Sequence, residues 1–151
     1  MTRVHGDFHL GQVLVVSGDA YLIDFEGEPS ASMAERRAKA SPLRDVAGLL
    51  RSIDYIGATL TDREGVGAMP VDEEARDKLI TQFGRRASAA FLRGYWETSC
   101  LQNDASARAL LDLWLIEKAA YEVRYEAANR PGWIDVPLHG LRQLIDMAVT
   151  A

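Results

Sequence analysis

Residues 5–24, HGDFHLGQVLVVSGDAYLID, restrict what this chain can build. Val13-Leu14-Val15-Val16 and Tyr21-Leu22-Ile23-Asp24 are short β-branched and aromatic runs on either side of Ser17-Gly18-Asp19. Such runs around a Gly-containing turn predict a hairpin. The hairpin folds the chain back on itself, so Asp24 returns beside Gln12. Asp7 lies on the loop just before it. Two carboxylates and one amide are therefore brought together from a single short segment.

The remaining sequence reads as helices. Residues 25–41 are mostly irregular, with Gly27, Pro29 and several serines, and a short helical turn fits around Met33–Ala40. Ser41-Pro42 opens a helix, because Ser caps well and Pro suits the first helical position. Val46, Leu49, Leu50, Ile53 and Leu60 follow at helical spacing. Residues 61–71 read as a loop. Asp72-Glu73-Glu74 begins a second helix with its acids at the favourable dipole end. Leu79, Phe83, Ala87, Ala90, Phe91 and Tyr95 form its predicted buried stripe, and Gly84 and Gly94 mark close packing or a break. A third helix runs from about Ser106 to Asn129, stopped by Arg130-Pro131-Gly132, and a last one lies near Leu138–Val149. The expected fold is mostly α with a short β-hairpin.

The 151 residues fit one domain with one core. A net charge of −5 argues against nonspecific binding to nucleic acid or to an anionic membrane. No apolar run reaches the roughly 18 residues of a membrane-spanning helix. The single cysteine, Cys100, permits no intrachain disulfide and no cysteine metal site, and points to a reducing cytoplasm.

The order Asp7, Gln12, Asp24 carries chemistry. Phosphoryl transfer asks a protein for a carboxylate near the acceptor hydroxyl and for hard oxygen ligands around Mg²⁺. His5 and Gly6 would shape the loop, and His9 is near enough to Asp7 to touch substrate. Other readings stay open: an isolated HGD or IDF arises by chance, and His5-x-Asp7-x-His9 has the look of a metal cluster.

HGDFHLGQ followed by IDFEGEP resembles the catalytic and metal-binding loops of the aminoglycoside phosphotransferase-like kinases. Within them it resembles the bacterial maltokinases most. AERRAKASPLRDVAGLLRSIDY and EKAAYEVRYEAANRPGW add to that narrower likeness, which extends from Arg3 to about Leu144. The resemblance implies the C-terminal lobe of a protein-kinase-like α+β fold, with catalytic and metal loops over residues 5–28 and a helical subdomain over 41–150. It implies Asp7 as base, Gln12 and Asp24 as Mg²⁺ ligands, and ATP as co-substrate. Asp45 would brace the catalytic loop. Glu26 and Glu28 flank the metal loop and read equally as groups touching metal or water and as solvated surface.

Glu117, Lys118, Tyr121, Arg124 and Tyr125 recur at spacings of three and four on the third helix. That polar and aromatic face suits a sugar, although intrahelical ion pairing explains the pattern too. The resemblance places the acceptor there, and the implied reaction makes maltose 1-phosphate in a trehalose-to-glycogen route. Related acceptors, such as an aminoglycoside, keep the same chemistry. A third reading is a noncatalytic helical interaction module. The lysines Lys39, Lys78 and Lys118 all fall on expected loop or helix, not on a strand where a kinase holds nucleotide phosphates. The ATP-binding N-terminal lobe is thus expected to be absent from these residues, or supplied by a partner chain, and the piece alone is expected to be inactive.

Overall fold

A computed structural model describes residues 1–61 and 72–150. The order of elements is a 3-10 turn (Leu10–Gln12), β1 (Val13–Val16), β2 (Asp19–Leu22), α1 (Met33–Arg37), α2 (Leu43–Thr61), α3 (Glu73–Thr98), α4 (Ala105–Asn129), a second 3-10 turn (Pro131–Trp133) and α5 (Asp135–Thr150). The predicted loop at 61–71 lies almost wholly outside the described residues.

β1 and β2 form an antiparallel hairpin with Val13 opposite Leu22 and Val16 opposite Asp19. Its turn is Ser17-Gly18, with φ of 54° and 90°. Positive φ at both central positions matches the right-handed twist of the strands. Leu14, Val15, Val16, Tyr21, Leu22, Ile23 and Phe25 are all exposed.

Caps set the helix starts. Ser32 and Glu35 form a reciprocal capping box at α1. Ser41 Oγ accepts from the Leu43 N–H at 3.3 Å at α2. Asp72 caps α3 and Asp104 caps α4. α5 begins three positions earlier than its sequence pattern suggests. The 3-10 turn at Pro131–Trp133 redirects the chain at once, and Pro137 falls in the first turn, where no N–H is needed.

The core gathers Leu43, Val46, Ala47 and Leu50 of α2 with Leu111 of α4. Phe91, Leu92, Tyr95 and Trp96 of α3 and Trp114 and Leu115 of α4 pack around it. The predicted α3 stripe is therefore only half right. Leu79 and Phe83 are 64% and 55% exposed. α3 runs unbroken through Gly84 and Gly94, and a Cβ at Gly84 would sit 4.0 Å from Ile53, so the face turned to α2 is the one bearing Gly84. Among the described residues no helix is long and apolar enough to cross a membrane.

Candidate active site

The loop bearing Asp7 is pinned from three sides. Asp45, in the first turn of α2, accepts from the backbone N–H of His5 at 2.6 Å and from that of Gly6 at 2.9 Å. The buried His5 ring donates from Nε2 to the Ile23 carbonyl at 2.8 Å, while Nδ1 takes a long 3.4 Å bond from the Asp7 N–H. That tautomer follows from the Asp7 amide, which can only donate. One imidazole thus ties the Asp7 loop to the residue before Asp24. Gly48 of α2 closes the third side, since a Cβ there would lie 2.5 Å from the Phe8 carbonyl oxygen. Among the described residues no hydrogen bond engages the Asp7 carboxylate, which lines two adjoining cavities.

Gln12 and Asp24 meet through the hairpin. The Ile23 N–H donates to the Gln12 carbonyl at 3.1 Å, and Gln12 Nε2 donates to Asp24 Oδ2 at 3.0 Å. Asp24 has φ of 63°. That left-handed conformation is uncommon for a residue with a side chain and concentrates at functional positions. His9 Nδ1 accepts from the Gly11 N–H at 3.0 Å, which places the ring proton on Nε2. That Nε2 lies 3.4 Å from Gln12 Nε2, so two donors face each other. Turning the amide over would give His9 an acceptor and set the amide oxygen beside the Asp24 carboxylate, a pair of hard oxygens that a shared cation would satisfy. Among the described residues no cluster of three His, Cys, Asp or Glu is suited to a metal. One carboxylate and one amide oxygen suit Mg²⁺, which takes its other ligands from water and phosphate. The residues present fit the ion.

Asp7 lies where a cavity of about 60 Å³ adjoins one of about 430 Å³. Lys118 and Tyr121 line both, Glu117 only the smaller and Tyr125 only the larger. Arg124 lines neither and is exposed. At about 100° per residue it stands roughly a quarter turn from Tyr125, which takes it off the cavity face. The Tyr121 and Tyr125 rings stack at 6.4 Å and 25°, and Lys118 Nζ sits 5.0 Å from the Tyr121 centroid. His9 also lines the larger cavity, but both of its nitrogens are directed at its own turn and at Gln12.

The wall of the larger cavity includes groups that the sequence pattern did not single out. Glu122 Oε2 accepts from Arg51 Nε at 2.9 Å and from Nη2 at 2.8 Å, and Arg51 Nη1 donates to Asp54 at 2.8 Å. Arg51 is 1% exposed. Burial pushes the Glu122 carboxyl above the ordinary range, with Arg51 opposing. The buried Glu126 accepts from Arg130 at 2.6 and 2.9 Å and from the Tyr55 hydroxyl at 3.5 Å. Burial, then the charges of Glu122 and Glu126, push the Tyr55 hydroxyl far up. The one available signal was the four-residue spacing of Glu122, Glu126 and Arg130.

A loop carrying an aspartate, a hairpin returning a second aspartate to an amide, and a helical body behind them constitute a kinase-like fold. Comparison with known proteins agrees with that class. The chain is 32% identical over 147 residues to a glucosamine kinase of Streptacidiphilus jiangxiensis, covering 94% of this chain and 31% of that protein. It is 30% identical over 146 residues to a glucosamine kinase of Mycolicibacterium smegmatis, covering 94% of this chain and 34% of the relative. A solved glucosamine kinase structure superposes with a TM-score of 0.77 at 28% identity, over 95% of this chain and 34% of the other. A second, in complex with glucosamine, ADP and inorganic phosphate, gives 0.75 at 27%, over 93% and 32%. No family model matches the chain. The chain spans about a third of the length of the curated relatives it matches. These relatives are glucosamine kinases, which supports the expected kinase-like fold but not the maltokinases in particular.

Proposed function

We propose that these residues are the acceptor- and metal-binding part of a cytoplasmic, ATP-dependent sugar phosphotransferase whose acceptor is an amino sugar of the glucosamine class. The reading rests on one observation: Asp7 stands at the junction of two cavities, next to a hairpin that pairs Gln12 with Asp24. Asp7 takes the proton of the acceptor hydroxyl as that oxygen attacks the terminal phosphoryl group of ATP, and the bond to the β–γ bridging oxygen breaks to release ADP. Gln12 and Asp24 would hold Mg²⁺, which would supply neutralisation of phosphate charge. Asp45 and His5 keep the loop in place. Contacts to the adenine belong to an N-terminal lobe outside this single domain, or to a partner chain.

Charge favours an amino sugar. Asp7, Glu28, Glu122 and Glu126 line the larger cavity with Lys118 and Arg130, and Arg51 behind the wall offsets Glu122, which leaves one carboxylate in excess. That excess of carboxylate welcomes an ammonium group. The relatives' name points the same way. The stacked Tyr121 and Tyr125 favour a second reading, in which the sugar is a neutral disaccharide such as maltose lying along both rings.

ADP release by the full-length protein with glucosamine, maltose and a kanamycin-type aminoglycoside separates the acceptors. Mg²⁺-dependent transfer to glucosamine is expected to be fastest. Faster transfer to maltose would replace the amino-sugar reading. No transfer to any acceptor, with no heat on titration with Mg-ATP, would leave a noncatalytic helical module.

A further inference from the structure

Glu28 is set on a loop with more anchoring than a solvated glutamate needs. Gly27 before it is buried at φ 82°, where a Cβ would meet Arg36 at 3.4 Å. Gly6, next to Asp7, packs on that same Gly27: a Cβ on Gly6 would lie 3.3 Å from the Gly27 Cα. After Glu28, Arg36 Nη2 donates to the Pro29 carbonyl at 2.6 Å and Nε donates to the Ala31 carbonyl at 2.9 Å. The Ala31 N–H donates to the Glu28 carbonyl at 3.0 Å. Together these bonds fix one loop shape.

Asp24 lines neither of the two cavities that Glu28 shares with Asp7. The half-buried Glu28 lines both cavities, as Asp7 does. Its Oε1 accepts from Ser30 Oγ at 3.2 Å. Burial pushes the Tyr121 hydroxyl up, a hydrogen bond with Ser30 opposes the rise, and the nearby charges of Glu28 and Asp7 add to it.

We propose that Glu28 is a substrate-binding residue, whose carboxylate accepts hydrogen bonds from hydroxyl or ammonium groups of the acceptor sugar on the Asp7 side of the cavity. The proposal rests on the sugar phosphotransferase reading and adds to it a recognition group carried by the metal loop.

The test is calorimetric titration of the full-length protein with glucosamine, run on wild type and Glu28→Gln. A hydrogen bond to a charged group supports an expected loss of about 10- to 100-fold in affinity, with the melting temperature unchanged. Glu28→Asp, which keeps the charge on a shorter arm, is expected to fall between the two. Equal glucosamine affinity in wild type and Glu28→Gln would overturn the proposal and leave the sugar reading standing. So would a raised Mg²⁺ requirement at unchanged sugar affinity, which would make Glu28 a metal group. Wild type that binds no sugar would overturn both.

Discussion

The Asp45 carboxylate takes the backbone N–H of His5 at 2.6 Å, across 40 positions of sequence. Asp45 lies in the first turn of α2, where the helix dipole favours a negative charge. Its second oxygen holds the Gly6 N–H, so one side chain satisfies two loop donors. Asp45→Ala strands both, and the expected loss is about 2–4 kcal/mol of stability by urea denaturation. Turnover should fall with it, because the loop bearing Asp7 is released. Asp45→Asn keeps one acceptor oxygen and should fall between Ala and wild type. Unchanged stability in Asp45→Ala would remove Asp45 as the brace.

Asp7 calls for the opposite pattern. Nothing among the described residues leans on its carboxylate for hydrogen bonding, so Asp7→Asn should leave the melting temperature unchanged. Loss of a general base costs about 10²- to 10⁴-fold in turnover. Steady-state kinetics on the full-length protein checks this, and a kcat within about threefold of wild type would rule Asp7 out as the base.

The hairpin and the starts of α2, α3 and α4 were legible to within a residue or two because their signals are local, whereas the start of α5 was not. Ser17-Gly18 supplies the two positive φ values of its turn, and Ser41, Asp72 and Asp104 cap the helices they precede. Which way a helix faces is not local. Leu79 and Phe83 have core chemistry and helical spacing, yet α2 meets α3 on the Gly84 face. Arg124 shares a spacing with Tyr121, but the cavity spans only part of that side of α4. The Arg51–Glu122 pair joins residues 71 positions apart, a separation that no periodicity encodes.

Gly48 tests how closely α2 must approach the Asp7 loop. An added Cβ would sit 2.5 Å from the Phe8 carbonyl oxygen, a backbone atom that cannot swing aside. Gly48→Ala gains helix propensity of about 1 kcal/mol but must displace the loop, and overpacking costs about 1–3 kcal/mol. The expected net is a modest loss of stability with a disproportionate loss of kcat, since Asp7 moves with Phe8. Thermal melts and kinetics on one preparation separate the two effects. A Gly48→Ala variant more stable than wild type, with full turnover, would show that the loop tolerates the shift.

Arg51 and Glu122 give a pH signature whose sign is fixed by burial. Burial raises the Glu122 carboxyl above its ordinary value of 4.5, so the folded protein holds that proton more tightly than the unfolded chain. Stability from this group is therefore greatest below 4.5 and is lost as pH rises through the raised folded value. Glu122→Gln cannot titrate, and its urea midpoint should decline less across that window. It should also be less stable at neutral pH, because among the described residues Arg51, 1% exposed, keeps only Asp54 as an anionic partner. Breaking a buried pair costs about 3–5 kcal/mol, and the Asp54 contact places Glu122→Gln at the low end. Arg51→Met strands the mostly buried Glu122 and should cost more. The double variant Arg51→Met/Glu122→Leu removes both charges together, and since apolar replacement of a buried pair is often neutral, it should recover most of the loss. Additive losses in the double variant would mean that the two side chains are not coupled.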